Sequence, residues 1–583
     1  MAKGGFDVVV GNPPWERVKL QEEEFFAARD PEIANAKNAA ARKKMIAALE
    51  KTNPRLATEW NAAIRTAACE STYLRLSGRY PLGGVGDVNT YAVFADHFRQ
   101  IINDKGGAGL ILPTGFVSGF TYRDFLGHLL KTKTLVSFYG FENEDLLFPD
   151  ITNKVKFGLL TLSGSTRPVH QPWFTAHIRQ PEQIKDSERR YALTIDEIEA
   201  INPNTLNLPA FRWAKDAEVT AAIHKSAPVL IRRHPDGRIE NPWAVSFRTL
   251  FHMANDSGLF IDHEDVAPHI VERKGALALL DAGRPVYPLY EGKMFWHFDH
   301  RYGTYKGQTE KQANKGVLPP VSDAQHDDPE YRIEPRYWVD AKLTSSALKE
   351  DDAYEWFFAW RDVGISERTF IGTVLPKTAA GDKSPILVSP LPAKPKAALV
   401  ACLSSMATDY SARQRAMNMK YFVVEQIPVP PPPALSSILS WIGCSPQDWL
   451  ADRVLELCYT NEELAPFAID LGRHHGPFRW QPDRRILLQA EIDAFVLHLY
   501  GLNRSQSEWL VDSFAVLRKY EEAEHGEFRT KRVVLAIYDE IAIAKQTGRA
   551  YQTRLAPIPA HPSCCHPSKA KTAASSRQPK GVV

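Results

Sequence analysis

Cysteine is scarce in this chain, with six in 583 residues at positions 69, 402, 444, 458, 564 and 565. They are scattered, which excludes a disulfide-stapled secreted scaffold and suits a reducing compartment. Long apolar runs are missing as well: none reaches the roughly 18 residues that a membrane-spanning helix needs. Nor is there a strong charge of one sign, since 71 Lys+Arg against 69 Asp+Glu leave a net +2. That excludes a histone-like polycation, although a local basic groove would still suffice for nucleic acid. No signal-peptide pattern precedes the first apolar segment. A cytoplasmic protein is expected.

What is present is ample core material, 44% hydrophobic and 10% aromatic. The length is too great for one core and suggests three or four domains. The stretch FDVVVGNPPWERV, residues 6 to 18, reads as a buried strand running into Asn-Pro-Pro-Trp. A charged segment rich in Ala, Glu and Lys follows and reads as helix. A glycine-rich turn, GRYPLGGVGDVN, comes next, and TYAVFADHFRQIIND then has the spacing of an amphipathic helix. AGLILP (108 to 113), TLVSFYGF and KVKFGLLTLSG read as strands, with TYRDFLGHLLKT a helix between the first two. Strand alternating with helix points to an α/β layer with a largely parallel sheet.

Beyond about residue 170 the pattern becomes irregular and rich in aromatics, Pro and Gly, as far as about 427. QIPVPPPPALSS (426 to 437) then reads as a stiff linker or an extended packing strap. SPQDWLADRVLELCYT, RILLQAEIDAFVLHLYGL and TKRVVLAIYDEIAIAKQ are helical patterns. The tail, poor in apolar residues, is expected to be disordered.

A strand that ends in Asn-Pro-Pro-aromatic has a specific chemical use. The exocyclic amine of adenine is a poor nucleophile because its lone pair is delocalised into the ring. Two acceptors aimed at its two N–H bonds let the nitrogen pyramidalise and localise that pair. The Asn12 side-chain oxygen and the Pro13 carbonyl can supply them. Pro14 would keep the turn rigid and free of competing donors. Trp15 can stack on a base drawn out of the duplex. Asn-Pro is also a common turn starter. Its place after an apolar strand favours function, because functional residues of open α/β sheets sit at the carboxyl ends of strands.

On DVVVGNPPW, GDVNTYAVFADHF, GGAGLILPTGF and LLFPDITNKVKFGLLTL, the sequence resembles the adenine-N6 DNA methyltransferases. It is most similar to the large single-chain enzymes (type IIG-like) of restriction–modification and related phage-defence systems. PLYEGKMFWHFDHRYGTY, FFAWRDVGISERTFIGTVLP and MNMKYFVVEQIPVPPP resemble their target-recognition region, and the helices from FVLHLYGL onward resemble their C-terminal extension. The resemblance implies a partial Rossmann-like methyltransferase domain over 1–168, with a helical insertion at about 20–75. A mixed α+β target-recognition domain over 169–437 and a helical region over 438–550 would follow, with 551–583 as the disordered tail.

It further implies methyl transfer from S-adenosyl-L-methionine to adenine N6 in duplex DNA, by base flipping, without a metal and inside a prokaryotic cell. Phe148, in the family's aromatic position before the last strand, would cover the other face of the base. Arg301, Arg361, Arg368 and Lys377 are candidate DNA contacts, each with a plain surface charge as the alternative. The family's cofactor motif stands upstream of NPP, and only eleven residues precede Asn12 here. GGVGD (83–87) follows helix rather than a buried strand, and FAIDLGRHHG (467–476) has the wrong spacing, so no cofactor-binding residue is assigned.

A second expectation follows, that of a DNA-recognition fragment or subunit dependent on a separate cofactor-binding chain. A protein-glutamine or RNA methyltransferase shares the NPP motif, but the long recognition-like region disfavours it. The Glu291-x-Lys293 pair lacks a visible partner acid for a nuclease. The His561, Cys564, Cys565, His566 group lacks a second ligand pair, so neither is read as a metal site.

Overall fold

The computed structural model describes residues 4–349, 354–365, 367–415 and 418–567 and divides into two compact units, Met1–Ala221 and Ala222–Val583. In the first unit, strand β1 (Phe6–Gly11) leads into four helices: α1 (Glu22–Ala27), α2 (Pro31–Ala34), α3 (Ala39–Thr52) and α4 (Pro54–Leu76). Asn38 and Asn53 cap α3 and α4, their side-chain oxygens accepting from Ala41 N and Leu56 N, and Pro54 stands where a helix has no use for its N–H. These helices bury a core of their own around Phe25, Phe26, Leu49 and Trp60.

Helix α5 (Thr90–Ile101) then returns the chain to β2 (Ile102–Pro113). Short α6 (Gly115–Ser118) and α7 (Arg123–Thr132) lead on to β3 (Leu135–Glu142), followed by β4 (Lys156–Ser163), β5 (Trp173–Ile178) and β6 (Tyr191–Ala192). The strands form one sheet in the order β1-β2-β4-β3-β5-β6. β1 runs parallel to β2, and β3 to β5, while β4 opposes both its neighbours and β6 opposes β5. Four strands therefore run one way and two are reversed, so the sheet is mixed and not largely parallel as expected. The cause is local. The link from β3 to β4 holds no helix long enough to cross the sheet, so the chain turns back antiparallel beside β3.

One face of the sheet is sealed by Ala108, Leu110, Leu112, Leu160 and Leu162 against Phe116, Phe125, Leu126 and Leu129. The other carries a smaller cluster, Phe141, Phe157 and Ile178. The lack of polar alternation in β1 predicts a buried strand. Instead it is an edge strand, with Phe6, Val8 and Val10 61%, 69% and 77% exposed. Because β5 and β6 extend this sheet, with Phe174 and Ile178 buried, the first unit runs past the expected boundary at 168.

The second unit contains an antiparallel sheet built on Ile270–Lys274, Leu277–Leu280, Pro285–Tyr290, Tyr337–Asp340 and Ile261–Asp262. A four-stranded sheet combines Gly372–Pro376, Trp356–Trp360, Ile386–Val388 and Ser246–Arg248. The expected helices occur at Pro446–Cys458, Pro482–Leu499 and Arg529–Thr547, and they belong to the same compact unit as these sheets. The proline run is a strap: Val429 N–H donates to Pro228 O (2.9 Å) and the Tyr500 hydroxyl to Pro428 O (2.7 Å).

Residues 551–567, expected to be disordered, are packed instead. Tyr551 and Thr553 donate to Glu491, Ala560 N–H donates to Glu456, and Leu555 and Ala560 are buried. Residues 568–583 of that expected tail lie outside the described residues. Among the described residues no helix is long and apolar enough to cross a membrane.

Candidate active site

The Asn12–Trp15 turn leaves the carboxyl end of β1, where Gly11 pairs with Leu110 of β2. A side chain at Gly11 would come within 2.9 Å of the tip of the Phe98 ring of α5, so glycine lets that ring lie close against the strand. Pro13 is buried, whereas Asn12, Pro14 and Trp15 are exposed. The turn is held from its far side by the residues that open α5. The Thr90 hydroxyl donates to Pro14 O (2.5 Å) and accepts from Glu16 N–H (3.1 Å). Thr90 N–H donates to Glu16 O (2.9 Å) and Val18 N–H to Val88 O (2.9 Å). The turn is thus pinned between β2 and the first turn of α5. The Asn12 amide makes no hydrogen bond to the described residues and stands free on this support.

β1, β2 and β3 point the same way, so Asn12, Thr114 and the 143–155 segment emerge at one edge of the sheet. Phe148 lies in that segment, 40% exposed, edge-on to Phe157 at 5.2 Å. Its backbone is fixed by buried Asn143, whose side chain accepts from Phe148 N–H (2.9 Å) and donates to the carbonyls of Phe148 (3.1 Å) and Ile151 (3.0 Å). β1 and β3 are three strand spacings apart, roughly 14 Å. Phe148 therefore approaches Trp15 only as far as its loop carries it. At the end of β3, Glu142 meets Lys156 (2.7 Å) and His177 Nδ1 (2.9 Å). Burial pushes its carboxyl up, the Lys156 and His177 bonds pull it down, and the net value is about 2.

Thr90 and Asn143 are not singled out by the sequence. GDVNT and FENEDLLFP contain them, but nothing in either string says that a hydroxyl or an amide turns back onto the site.

Neither glycine-rich stretch forms a cofactor loop. Gly83 and Gly84 are buried where α4 and α5 meet, and a Cβ would come within 2.3 Å of Ala92 O or 2.2 Å of Leu74 O. The Leu82 and Gly83 amides are used by buried Asp96 at 2.8 and 3.0 Å. Gly472 sits just past the helix Ala465–Asp470 with φ +76°, a helix stop.

The cations expected on DNA are otherwise engaged. Arg301 is fully buried and donates to the carbonyls of His326 (2.6 Å), Asp328 (3.0 Å), Tyr331 (3.1 Å) and Thr460 (3.0 Å). It is a core residue, which corrects its reading as a DNA contact: its charge is met by a cage of carbonyls inside the protein, as a buried guanidinium requires. Arg361 donates to Phe295 O (3.0 Å) and lies over Trp296 at 4.7 Å, with burial drawing its pKa down to about 10. Arg368 is 7% exposed and stands 3.9 Å from Asp409. Lys377 pairs with Glu355 at 2.9 Å. None of the four is an uncommitted surface cation.

Glu291 accepts from the Tyr305 hydroxyl and lies 3.5 Å from Lys293. Cys565 Sγ is 3.1 Å from His475 Nδ1, and His561 bonds Ser563. Among the described residues no three His, Cys, Asp or Glu side chains are grouped to hold a metal.

No protein-family model and no curated protein matches the chain. Among the solved structures similar to it are restriction–modification enzymes. They include the type IIL enzyme MmeI in complex with DNA (12% identity, 87% of this chain and 57% of that one, TM-score 0.35) and the type IIG restriction endonuclease BpuSI (11% identity, 80% and 53%, TM-score 0.25). A type I restriction–modification complex matches at 13% identity over 36% of this chain and 38% of the other, with a TM-score of 0.21. The chain spans about half the length of MmeI and BpuSI. The likeness is coarse, and no residue role is carried over from it.

Proposed function

We propose that this chain carries the target-base part of a site-specific DNA adenine-N6 methyltransferase of a restriction–modification or phage-defence system. One observation carries the reading. A Pro-Pro turn at the carboxyl end of a sheet strand presents an unpaired Asn amide and an exposed Trp, and Thr90 fixes it from behind. Asn12 Oδ1 and the Pro13 carbonyl would accept the two N–H bonds of the adenine amine, Pro14 would hold the turn, and Trp15 would stack on the extruded base. Phe148, on a loop fixed by Asn143, would close the opposite side. The second half of a Rossmann-like sheet, with β1, β2 and β3 parallel in direction, is the fold this reading supposes.

In the complete enzyme S-adenosyl-L-methionine would supply the methyl group. Neither glycine-rich stretch offers a cradle for it, so the steps assigned to this chain end with positioning the amine. A second version of the reading is a recognition component acting with a separate cofactor-binding chain. Double-stranded DNA is the partner in both.

The test is the N6-methyladenine pattern of DNA from cells that carry the gene in its native locus. Asn12→Ala and Trp15→Ala should abolish methylation in one sequence context while the protein remains folded. A pattern within about twofold of wild type would remove the assignment.

A further inference from the structure

Directly beyond the Asn12–Trp15 turn the first unit has a cleft of about 510 Å³. That is within the range of ligand-sized clefts, about 300–1,000 Å³. One wall is the segment after Trp15, held to residues 88–90 by the hydrogen bonds already described. The other is the exposed side of α4. The wall is apolar where Val18, Ile64 and Ala68 face it, and Ile64 is 42% exposed. Arg17, Lys19 and Arg75 supply positive charge, and all three are exposed. Arg75 spends one N–H on Gly86 O (2.7 Å), while Arg17 and Lys19 make no ion pair with the described residues. Two acids also line the cleft. Glu22 shares Arg42 with Glu23 (3.0 and 2.8 Å), and Asp87 is the other, so the lining carries three cations against two acids, one of them already ion-paired.

An apolar wall with a cationic rim suits a ligand that is flat and apolar in one part and anionic in another. A nucleic-acid strand has that character, with phosphates outside and sugars and bases within. The cleft begins two residues after Trp15, so a strand whose base stacks on Trp15 would run into it.

We infer that this cleft is a nucleic-acid backbone site, in which Arg17, Lys19 and Arg75 hold the phosphates flanking the extruded base and Ile64 and Ala68 support the sugar. The inference rests on the DNA reading above and adds to it a binding site built by the helical insertion. It also places DNA contacts in the first unit, where none of the four arginine and lysine candidates lies.

The experiment measures binding of the full chain to a fluorescein-labelled mixed-sequence DNA duplex across a salt series, with circular dichroism confirming the fold of each variant. Arg17→Gln combined with Lys19→Gln should lower the slope of log affinity against log salt by about 2, one for each phosphate left without its cation. Lys43→Gln combined with Lys44→Gln removes the same charge from the exposed face of α3, outside the cleft, and should leave the slope within about 0.5 of wild type. Ala68→Trp fills the cleft without touching a charge and should bring a similar fall in slope. If the two double variants behave alike, or Ala68→Trp binds as wild type does, the cleft is not the site and the DNA reading stands without it. A wild-type chain that binds no duplex at any salt would overturn the DNA reading itself.

Discussion

Replacing Thr90 by valine removes a hydroxyl that does two things for the Asn12–Trp15 turn while leaving the shape of the side chain almost unchanged. It removes the donor to Pro14 O and the acceptor for Glu16 N–H. Each such bond contributes a net 0.5–1.5 kcal/mol, roughly, and the freed groups are near enough to solvent to find water. The stability cost should therefore be about 1–2 kcal/mol, read as a shift of the denaturant midpoint without a change in slope. The functional cost should be larger. The turn would keep β1 on one side and the Thr90–Glu16 and Val18–Val88 backbone bonds on the other but lose the clamp at Pro14. Displacing such a site by about 1 Å costs about 100-fold in rate. The N6-methyladenine content of host DNA, followed after inducing the native locus that carries the variant, is expected to rise roughly tenfold to 100-fold more slowly than for wild type. Thr90→Ser retains the hydroxyl and should recover most of the rate. Methylation by Thr90→Val at the wild-type rate, or a serine variant as impaired as the valine one, would refute the view that this hydroxyl positions the turn.

Two further outcomes follow from the structure. Glu142 has its carboxyl held at about 2, below the ordinary value of 4.5. Its contribution to stability is therefore full above the unfolded value and is lost as pH falls from about 5 towards 2. The melting-temperature difference between wild type and Glu142→Gln should be largest at neutral pH and vanish near pH 2; a constant difference would contradict the ion cluster. Arg301→Ala removes four hydrogen bonds from a guanidinium, two of them, to His326 O and Thr460 O, wholly buried, and should cost at least about 3 kcal/mol. A variant that stays as stable as wild type in denaturant yet loses DNA binding would return Arg301 to the DNA interface.

Much of the first unit was legible because strand and helix periods differ. FDVVVG and AGLILP lie wholly in strands, TLVSFYGF and KVKFGLLTLSG do so for most of their length, and TYAVFADHFRQIIND is a helix from its first residue to Ile101, its last three residues opening β2. Direction was not legible: a run such as KFGLLTLS reads the same whether it joins its neighbour parallel or reversed, and only the helix-free link before it decides. The turn at Asn12 could be read because proline and asparagine act locally. The role of Arg301 could not, because one carbonyl of its cage, that of Thr460, is 159 residues away. The segment 551–567 misled for the same reason. Its composition is that of a loose tail, but Glu491 and Glu456, on helices distant in sequence, fix it in place.

The position of β1 at the rim of its sheet has a consequence for how the Asn12–Trp15 turn moves. A strand bonded along one side opens more easily than one bonded along both, and the three side chains on its bare face contribute little apolar burial to resist that opening. The segment that presents Asn12 is thus the least insulated part of its sheet, and its order is borrowed. β2 lends it through a single hydrogen-bonded ladder, and α5 lends it through Thr90. Hydrogen exchange at Val8 to Gly11 and at Glu16 would then report the state of the turn more directly than any global measure of stability. The tempo of the proposed base-accepting geometry is set at this rim and not in the core, which seals the opposite face.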